Sequence, residues 1–440
     1  MRYKFSKYRP GSLLTSSLIV AVSILQIGHY AYAAVCGPYE NATELAKVYS
    51  SQHLCGTCSG QQNNQDYCGV LNNMLDVNRL ASNLSPVSPV YIPHRGIWGG
   101  IGAEGPAENS MGALKKAKEQ GYRIVEIDAM VGSKTKQSSD GRHYNGTQVK
   151  MSHYFDMYAY GGESGKAPRV VSDLSSYKMR KRNGNLSTDD DDQIASIRDA
   201  IIYAHDNKIM LTIDPKNPPD NQKNNTAENE YAEIILSALI TAENIDALGY
   251  ITIKSELTPL EIHEALVNSG SYPSGKTLEY WSNKVLWSPI LNKSAKGTLE
   301  DVENLMVAWG AGSSCGSVNR CIDKGAFMTF EVQVYNTEHW TNKSFNSKGI
   351  SANNIIDYVE KYTSHNFVSR RATMWSVDPM SSLGTLGREY NWKFIGNEID
   401  KTDPSKDDLR SDPIFILTRD GALRSAIITD RPDVYRSILD

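Results

Sequence analysis

The sequence predicts an α/β fold, most simply a (β/α)8 barrel. Eight short apolar runs recur along the chain, and segments with helical patterns lie between them. Strands that alternate with helices indicate a parallel sheet. Polar groups follow several of the runs, as they do at the C-terminal ends of barrel strands. An open, doubly wound sheet is the alternative.

The predicted strands span residues 90–93, 124–129, 209–213, 250–253, 285–290, 327–334, 373–377 and 426–428. The predicted helices span residues 110–120, 192–207, 227–242, 259–268, 299–309 and 350–362. We expect Asn109 to cap the first helix, because asparagine is a favoured N-cap residue. A long polar, Gly-rich insertion, about 130–190, follows the second strand and is expected to serve the active-site end.

The N-terminus has the pattern of a secretory signal peptide over residues 1–33. Basic residues precede an apolar run at 13–27, and Ala31-Tyr32-Ala33-Ala34 supplies small residues for cleavage. The apolar run is shorter than the roughly 20 residues of a spanning helix, so an uncleaved membrane anchor is the less favoured alternative. We therefore expect a secreted or periplasmic protein.

All six cysteines follow the proposed cleavage site, which fits an exported protein with disulfide bonds. Four of them lie in residues 34–88, which we expect to form a small disulfide-rich cap before the barrel. Zinc bound at Cys55 and Cys58 is the alternative. The cysteines are Cys36, Cys55, Cys58, Cys68, Cys315 and Cys321.

The chain has 440 residues and a formal net charge of −4. This length suffices for one large domain with insertions or for two domains. Because the charge is nearly balanced and no long basic run follows the signal segment, we do not expect a nucleic-acid partner. The oligomeric state is left open.

Two short segments carry the strongest chemical signal. His94-Arg95-Gly96 ends the first apolar run, and Glu126-Ile127-Asp128 lies within the second. Residues two apart in a strand share a face, so Glu126 and Asp128 would point the same way. Paired carboxylates indicate a divalent metal ion, with His94 beside it as a proton-transfer group. A solvated strand face is the simpler alternative, but the apolar neighbours argue against exposure.

The order of several segments along residues 89–440 resembles the glycerophosphodiester phosphodiesterase family and its phospholipase D toxin relatives. The matching segments are His94-Arg95-Gly96, Glu108-Asn109-Ser110, Glu126-Ile127-Asp128, Asp140-Gly141, His153, and residues 211–216, 374–377 and 427–433. Members of that family are TIM barrels. The resemblance therefore implies one TIM-barrel catalytic domain over residues 89–440.

The resemblance also implies an activity, namely metal-dependent hydrolysis of glycerophosphodiesters to glycerol phosphate and an alcohol. Ca²⁺ or Mg²⁺ would be the cofactor, and two histidines would act as general acid and base. The implied roles are catalysis for His94 and His153, metal binding for Glu126, Asp128 and Asp214, substrate binding for Arg95, Lys216 and Trp375, and orientation of Arg95 for Glu108.

Several alternatives stay open. His143 competes with His153 for the place of the second histidine. The Asp214-Pro215-Lys216 pattern is closer to the toxins, which favours phospholipase D or sphingomyelinase D-like cleavage of lysophospholipid or sphingolipid head groups, with a cyclic phosphate as product. Residues 154–160 would then touch a membrane surface transiently. A non-catalytic barrel that binds ligands is the alternative of another class.

Overall fold

The structure is a computed structural model that describes residues 90–98, 105–132, 136–153, 190–216, 226–282, 284–291, 299–310, 328–334, 372–376, 426–429 and 432. The signal segment, the Cys-rich segment, all six cysteines and the predicted helix 350–362 lie outside these residues. In the described part of the chain, no helix is long and apolar enough to cross a membrane.

Nine strands are described, and eight of them are those predicted, with ends shifted by at most three residues. The additional strand lies in the insertion. The strands are β1 (Val90–Pro93), β2 (Ile124–Val131), β3 (Val149–Met151), β4 (Met210–Pro215), β5 (Ile251–Ser255), β6 (Leu286–Pro289), β7 (Phe330–Val334), β8 (Ala372–Ser376) and β9 (Ala426–Thr429).

Helices lie between most of these strands, as the sequence pattern predicts. The helices are α1 (Met111–Glu119), α2 (Ile197–Asn207), α3 (Thr226–Asn244), α4 (Pro259–Asn268), α5 (Leu278–Ser282) and α6 (Leu299–Gly310). The short α5 was not predicted. The amphipathic α4 begins with a capping box in which Thr258 and Glu261 satisfy each other's backbone N–H groups.

Two predicted helix starts are wrong. Ser110, not Asn109, caps α1, because its side chain accepts from the Ala113 N–H. Helix α2 begins at Ile197 rather than at Asp192. Asp192 instead ends a short 3-10 turn and is buried, and its Oδ1 accepts from the backbone of Ala107 and from the Ser110 hydroxyl. Asp192 thus anchors the turn before α1.

The strands form two sheets, of order β3-β2-β4-β5-β6 and β1-β9-β8-β7. Every pairing is parallel except that of β3 with β2. A parallel bridge between Ile290 and Glu331 joins the end of β6 to β7. The predicted parallel α/β architecture is therefore confirmed, and the C-terminal ends of the joined strands lie at one edge.

Burial explains why these strands form the core. All eight residues of β2 and all six of β4 are buried, as expected for parallel strands covered on both faces. Their register sets Asp128 beside Asp214. Gly96, at φ +80°, lets α1 approach β1, since a Cβ there would lie 2.8 Å from the Cβ of Ala113.

Candidate active site

Charged side chains from five strands, and from the segments that follow them, converge in one place. We call Arg95, Glu108, Glu126, Asp128, Asp214, Lys216, Lys254 and Glu331 the charged cluster. All are buried except Lys216, whose side chain is 11% exposed. Most of the site residues expected from the sequence are thus brought together, and Lys254 and Glu331 join them.

Arg95 connects the first strand to the carboxylates of β2. It has φ +60°, and this turn directs its backbone N–H to Glu126 Oε2 at 3.0 Å. Its Nε lies 2.8 Å from Asp128 Oδ2, and its Nη1 donates to Glu108 Oε2 at 2.9 Å. Glu108 therefore orients Arg95, the role that the family resemblance implies for it.

Asn109 holds Asp128 from the other side. Its Nδ2 donates to Asp128 Oδ2 at 2.9 Å, and its Oδ1 accepts the Asp128 N–H at 2.9 Å. It has φ +49°, a conformation in which asparagine is enriched. The sequence analysis assigned Asn109 to helix capping and missed this role.

Opposite charges alternate in a row from Asp128 to Glu331. Lys216 Nζ lies 2.9 Å from Asp128 Oδ1 and 2.6 Å from Asp214 Oδ2. Lys254 Nζ lies 3.0 Å from the same Asp214 oxygen and 2.9 Å from Glu331 Oε2. The row crosses β2, β4, β5 and β7, and so ties the two sheets together.

Lys254 was missed by the sequence analysis, although two signals could have found it. It directly follows the apolar run that predicts β5, and it alternates with Thr252 on one face of that strand. Glu331 is the second residue of β7, directly after the buried Phe330, and so lies inside an apolar run. A charged residue inside an apolar run or directly after it was informative in both cases.

The two carboxylates of β2 differ in their electrostatic surroundings. Burial acts to raise the pKa of Asp128, but Lys216 and Arg95 outweigh it and hold that pKa well below its ordinary range. Burial raises the pKa of Glu126, and the nearby His94 and Lys254 offset only part of this effect. Glu126 is therefore the less compensated of the two carboxylates.

The structure brings His94 and His153 to the charged cluster. His94 Nε2 lies 3.8 Å from Glu126 Oε2. The backbone N–H of Ser152 donates to the Asp128 carbonyl at 3.1 Å, which brings the adjacent His153 to β2. Burial and the charge of Arg95 hold the pKa of His153 well below its ordinary value, which keeps its imidazole neutral.

The competing histidine, His143, makes different contacts. Its Nδ1 lies 3.0 Å from the Tyr144 carbonyl, and its Nε2 lies 3.9 Å from Asp140 Oδ1. Both partners belong to the loop between β2 and β3. His143 thus contacts the loop between β2 and β3, whereas His153 lies beside β2.

A divalent cation fits the donor set of this site. Within the described ranges, one group of three ligand residues has all its ligand atoms within 4.8 Å of one another, and it consists of His94, Glu126 and Asp128. Glu126 Oε1 is buried and accepts no hydrogen bond from any described residue. Asp214, the third ligand that the resemblance implies, is not in this group, and its Oδ2 contacts two lysines.

Trp375 can be placed only by its backbone. It lies in β8, where it pairs with Gln333 of β7 and Ile428 of β9. Its side chain is outside the described part of the structure. The predicted contact between Trp375 and a substrate therefore stays a prediction.

Comparisons with known proteins were made at three levels. No family model matches the sequence, and no curated protein matches it either. Solved structures to which the chain is similar include a dihydropteroate synthase from Vibrio fischeri, with 9% identity over 81% of this chain and 94% of that one and a TM-score of 0.33.

Two further structures are those of glycerophosphodiester phosphodiesterases. The one from Parabacteroides distasonis is 13% identical over 80% of this chain and 97% of that one, with a TM-score of 0.41. The one from Agrobacterium tumefaciens is 12% identical over 79% of this chain and 99% of that one, with a TM-score of 0.35. These neighbours carry the name of the family whose motif order the sequence resembles.

Proposed function

We propose that this protein is a metal-dependent phosphodiesterase that hydrolyses glycerophosphodiesters and releases glycerol phosphate and an alcohol. The observation that carries the proposal is the charged cluster with His94 and His153 at its edge. It combines oxygen ligands for a cation, fixed cationic donors for a phosphate and two groups for proton transfer. We also propose that the two sheets close into a (β/α)8 barrel around it.

The charge balance supports a bound cation. The charged cluster has five carboxylates and three cationic side chains, so its formal charge is −2 when the histidines are neutral. A phosphodiester adds a further negative charge and would be repelled by the bare cluster. Ca²⁺ or Mg²⁺ bound by Glu126 and Asp128, with Asp214 as third ligand, would remove this repulsion.

Substrate binding then rests on Arg95 and Lys216. A bound divalent cation would polarise the phosphoryl group and stabilise developing negative charge. The guanidinium of Arg95 is fixed by Glu108 and Asp128, so its position is set before substrate arrives. Lys216 is the most exposed member of the charged cluster and thus the cation best placed to meet a phosphate oxygen.

His94 and His153 would transfer protons. One histidine accepts the proton of the attacking oxygen, and the other donates a proton to the leaving alkoxide. The neutral state of His153 suits the accepting role. If the attacking oxygen is a hydroxyl of the substrate instead of water, the product is a cyclic phosphate, as expected for a phospholipase D or sphingomyelinase D-like enzyme.

The remaining expectations from the sequence complete the proposal. We propose export to a secreted or periplasmic location through cleavage after about residue 33, and disulfide bonds among the cysteines. Trp375 would line the pocket and face a choline-like head group. Residues 154–160 would make any contact with a lipid surface.

Phosphorus NMR of purified protein with glycerophosphocholine and with lysophosphatidylcholine tests this function. We expect glycerol phosphate from the first substrate, and loss of turnover with a chelator that is restored by added Ca²⁺ or Mg²⁺. A cyclic phosphate from the second substrate would favour the toxin-like activity. Turnover that is insensitive to chelator would refute the metal assignment, and a chain that cleaves neither substrate would refute the phosphodiesterase.

Replacement of His94 with Ala separates two roles for this side chain. If His94 is a proton-transfer group, its replacement should abolish turnover and leave the affinity for the cation unchanged. As a metal ligand, its removal lowers the affinity for the cation as well. Calorimetric titration of the variant with Mg²⁺ and Ca²⁺ distinguishes the two outcomes, and an active variant would exclude both.

A further inference from the structure

Lys254 is a buried cation to which the proposed reaction assigns no step. Its side chain is 2% exposed, and it is the one buried lysine among the described residues. A lysine is almost never fully buried unless it is paired. Here carboxylate oxygens lie within ion-pair distance of the ammonium, so its charge is compensated inside the core.

Three carboxylates converge on this ammonium. Its Nζ lies 2.9 Å from Glu331 Oε2, 3.0 Å from Asp214 Oδ2 and 3.6 Å from Glu126 Oε1. Two of these carboxylates, Glu126 and Asp214, are ligands in the proposed metal site. Because Lys254 is buried and contacts these two ligands, it is better placed to act on them than to bind substrate.

The ammonium and a divalent cation would therefore neutralise the same carboxylates. A charge of +1 next to Glu126 repels a metal ion bound there, and the repulsion is strong in a buried site. Glu331 has the opposite effect, because its carboxylate compensates the ammonium. Lys254 and Glu331 thus place one charge that repels the metal ion and one that attracts it next to the metal ligands.

We propose that Lys254 is an internal counter-cation that holds the carboxylates together without metal and, balanced by Glu331, sets the affinity of the site for a divalent ion. The inference rests on the metal site of the proposed function. It makes Lys254 a positioning residue, since it acts through Glu126 and Asp214.

The test is calorimetric titration of full-length protein with MgCl₂ and, separately, CaCl₂. Lys254→Met should tighten cation binding, and Glu331→Gln should weaken it, because the ammonium is then uncompensated. We expect each change to be about 5- to 150-fold, the usual range for coupling between two sites. The double variant should return close to the affinity of the wild type.

The opposite signs separate this role from a purely structural one. A packing defect would weaken binding in both single variants, or in neither. Lys136→Met is the matched control, because it breaks another ion pair of a lysine with a buried glutamate, Glu233, at 2.6 Å. The affinity of this control for the cation should equal that of the wild type.

Thermal unfolding with and without the cation gives a second measurement. Removal of Lys254 should enlarge the rise in Tm that saturating cation produces, because the metal-free variant lacks its counter-charge. If Lys254→Met does not fold, Glu331→Gln still tests the inference, because Lys254 keeps Asp214 as a partner.

Equal cation affinity in wild type and Glu331→Gln, or tighter binding in Glu331→Gln, would overturn the inference. If the wild-type protein cleaves phosphodiesters without binding a cation, the inference about Lys254 is overturned but the proposed phosphodiesterase activity is not. A protein that shows the two opposite shifts without any turnover would instead overturn the proposed function alone.

Discussion

Replacement of Asn109 tests how strongly the site depends on one turn. Asn109→Ala removes the hydrogen bond to Asp128 Oδ2 and leaves the buried Asp128 N–H without its acceptor, both at 2.9 Å in the native structure. A lost bond to a charged group costs about 1.5–3 kcal/mol and an unsatisfied buried donor about 1–3 kcal/mol. Because both losses fall on Asp128, they are not additive, and we expect about 3–5 kcal/mol in total.

The backbone of Asn109 adds a separable contribution. At φ +49°, alanine is strained relative to glycine by roughly 1 kcal/mol. Asn109→Gly should therefore lose the same hydrogen bonds but unfold at a higher urea concentration than Asn109→Ala. The change in unfolding free energy, from urea titrations followed by circular dichroism, measures both effects.

A matched control fixes the scale of this experiment. Asn207, at the end of α2, donates one hydrogen bond to the Tyr203 carbonyl at 2.9 Å. It precedes the N-terminal end of β4, whereas Asp214 lies near the C-terminal end of that strand. Replacement of Asn207 by Ala should cost about 1 kcal/mol or less. If Asn109→Ala and Asn109→Gly cost no more than this control, the contacts with Asp128 do not hold the site.

Three further predictions concern packing, substrate binding and pH. Gly96→Ala should lower the unfolding free energy by about 2–4 kcal/mol, because of backbone strain and overlap of the added Cβ with α1. Gly141→Ala, at φ +68° but with open space around the added Cβ, should lower it by only about 1 kcal/mol. Equal losses in the two variants would contradict the packing argument. Glu108→Gln should raise KM for a glycerophosphodiester roughly 5- to 30-fold by loosening Arg95, and cation affinity measured by calorimetry should fall as well, because the Arg95 guanidinium beside Asp128 is then less compensated. Burial and two nearby glutamates raise the pKa of Tyr144 to about 12, so the unfolded chain loses its proton first and stability should fall as pH rises above about 10; Tyr144→Phe should flatten the dependence of Tm on pH there, and an unchanged slope would refute the assignment.

The strands were predictable because each is a short apolar run between polar segments. Both faces of a buried parallel strand are covered, so few unpaired polar residues are tolerated there. Glu126 and Asp128 were predictable for the same reason, since carboxylates inside such a run must meet cations. Lys254 was missed, although it directly follows an apolar run, because a lysine at the end of a strand usually reaches solvent. Its partners come from β2, β4 and β7, and no local pattern announces contacts over such separations.

Asn109, which the helix pattern misassigned as a cap, has an unusual backbone conformation. Among the described residues, four other than glycine have positive φ, and two of them, Arg95 and Asn109, lie in the site. Their turns are joined directly, because the Asn109 N–H donates to the Arg95 carbonyl at 3.0 Å. Strain of this kind persists where surrounding contacts over-determine it, and it concentrates at functional sites.

Asp128 contacts both strained turns, at Arg95 and at Asn109, and holds them in place. It meets the Arg95 guanidinium through Oδ2 at 2.8 Å and exchanges two hydrogen bonds with Asn109. A ligand of the proposed cation therefore also fixes the arginine proposed to bind the phosphate. Any change that releases Asp128 should disturb cation binding and substrate binding together.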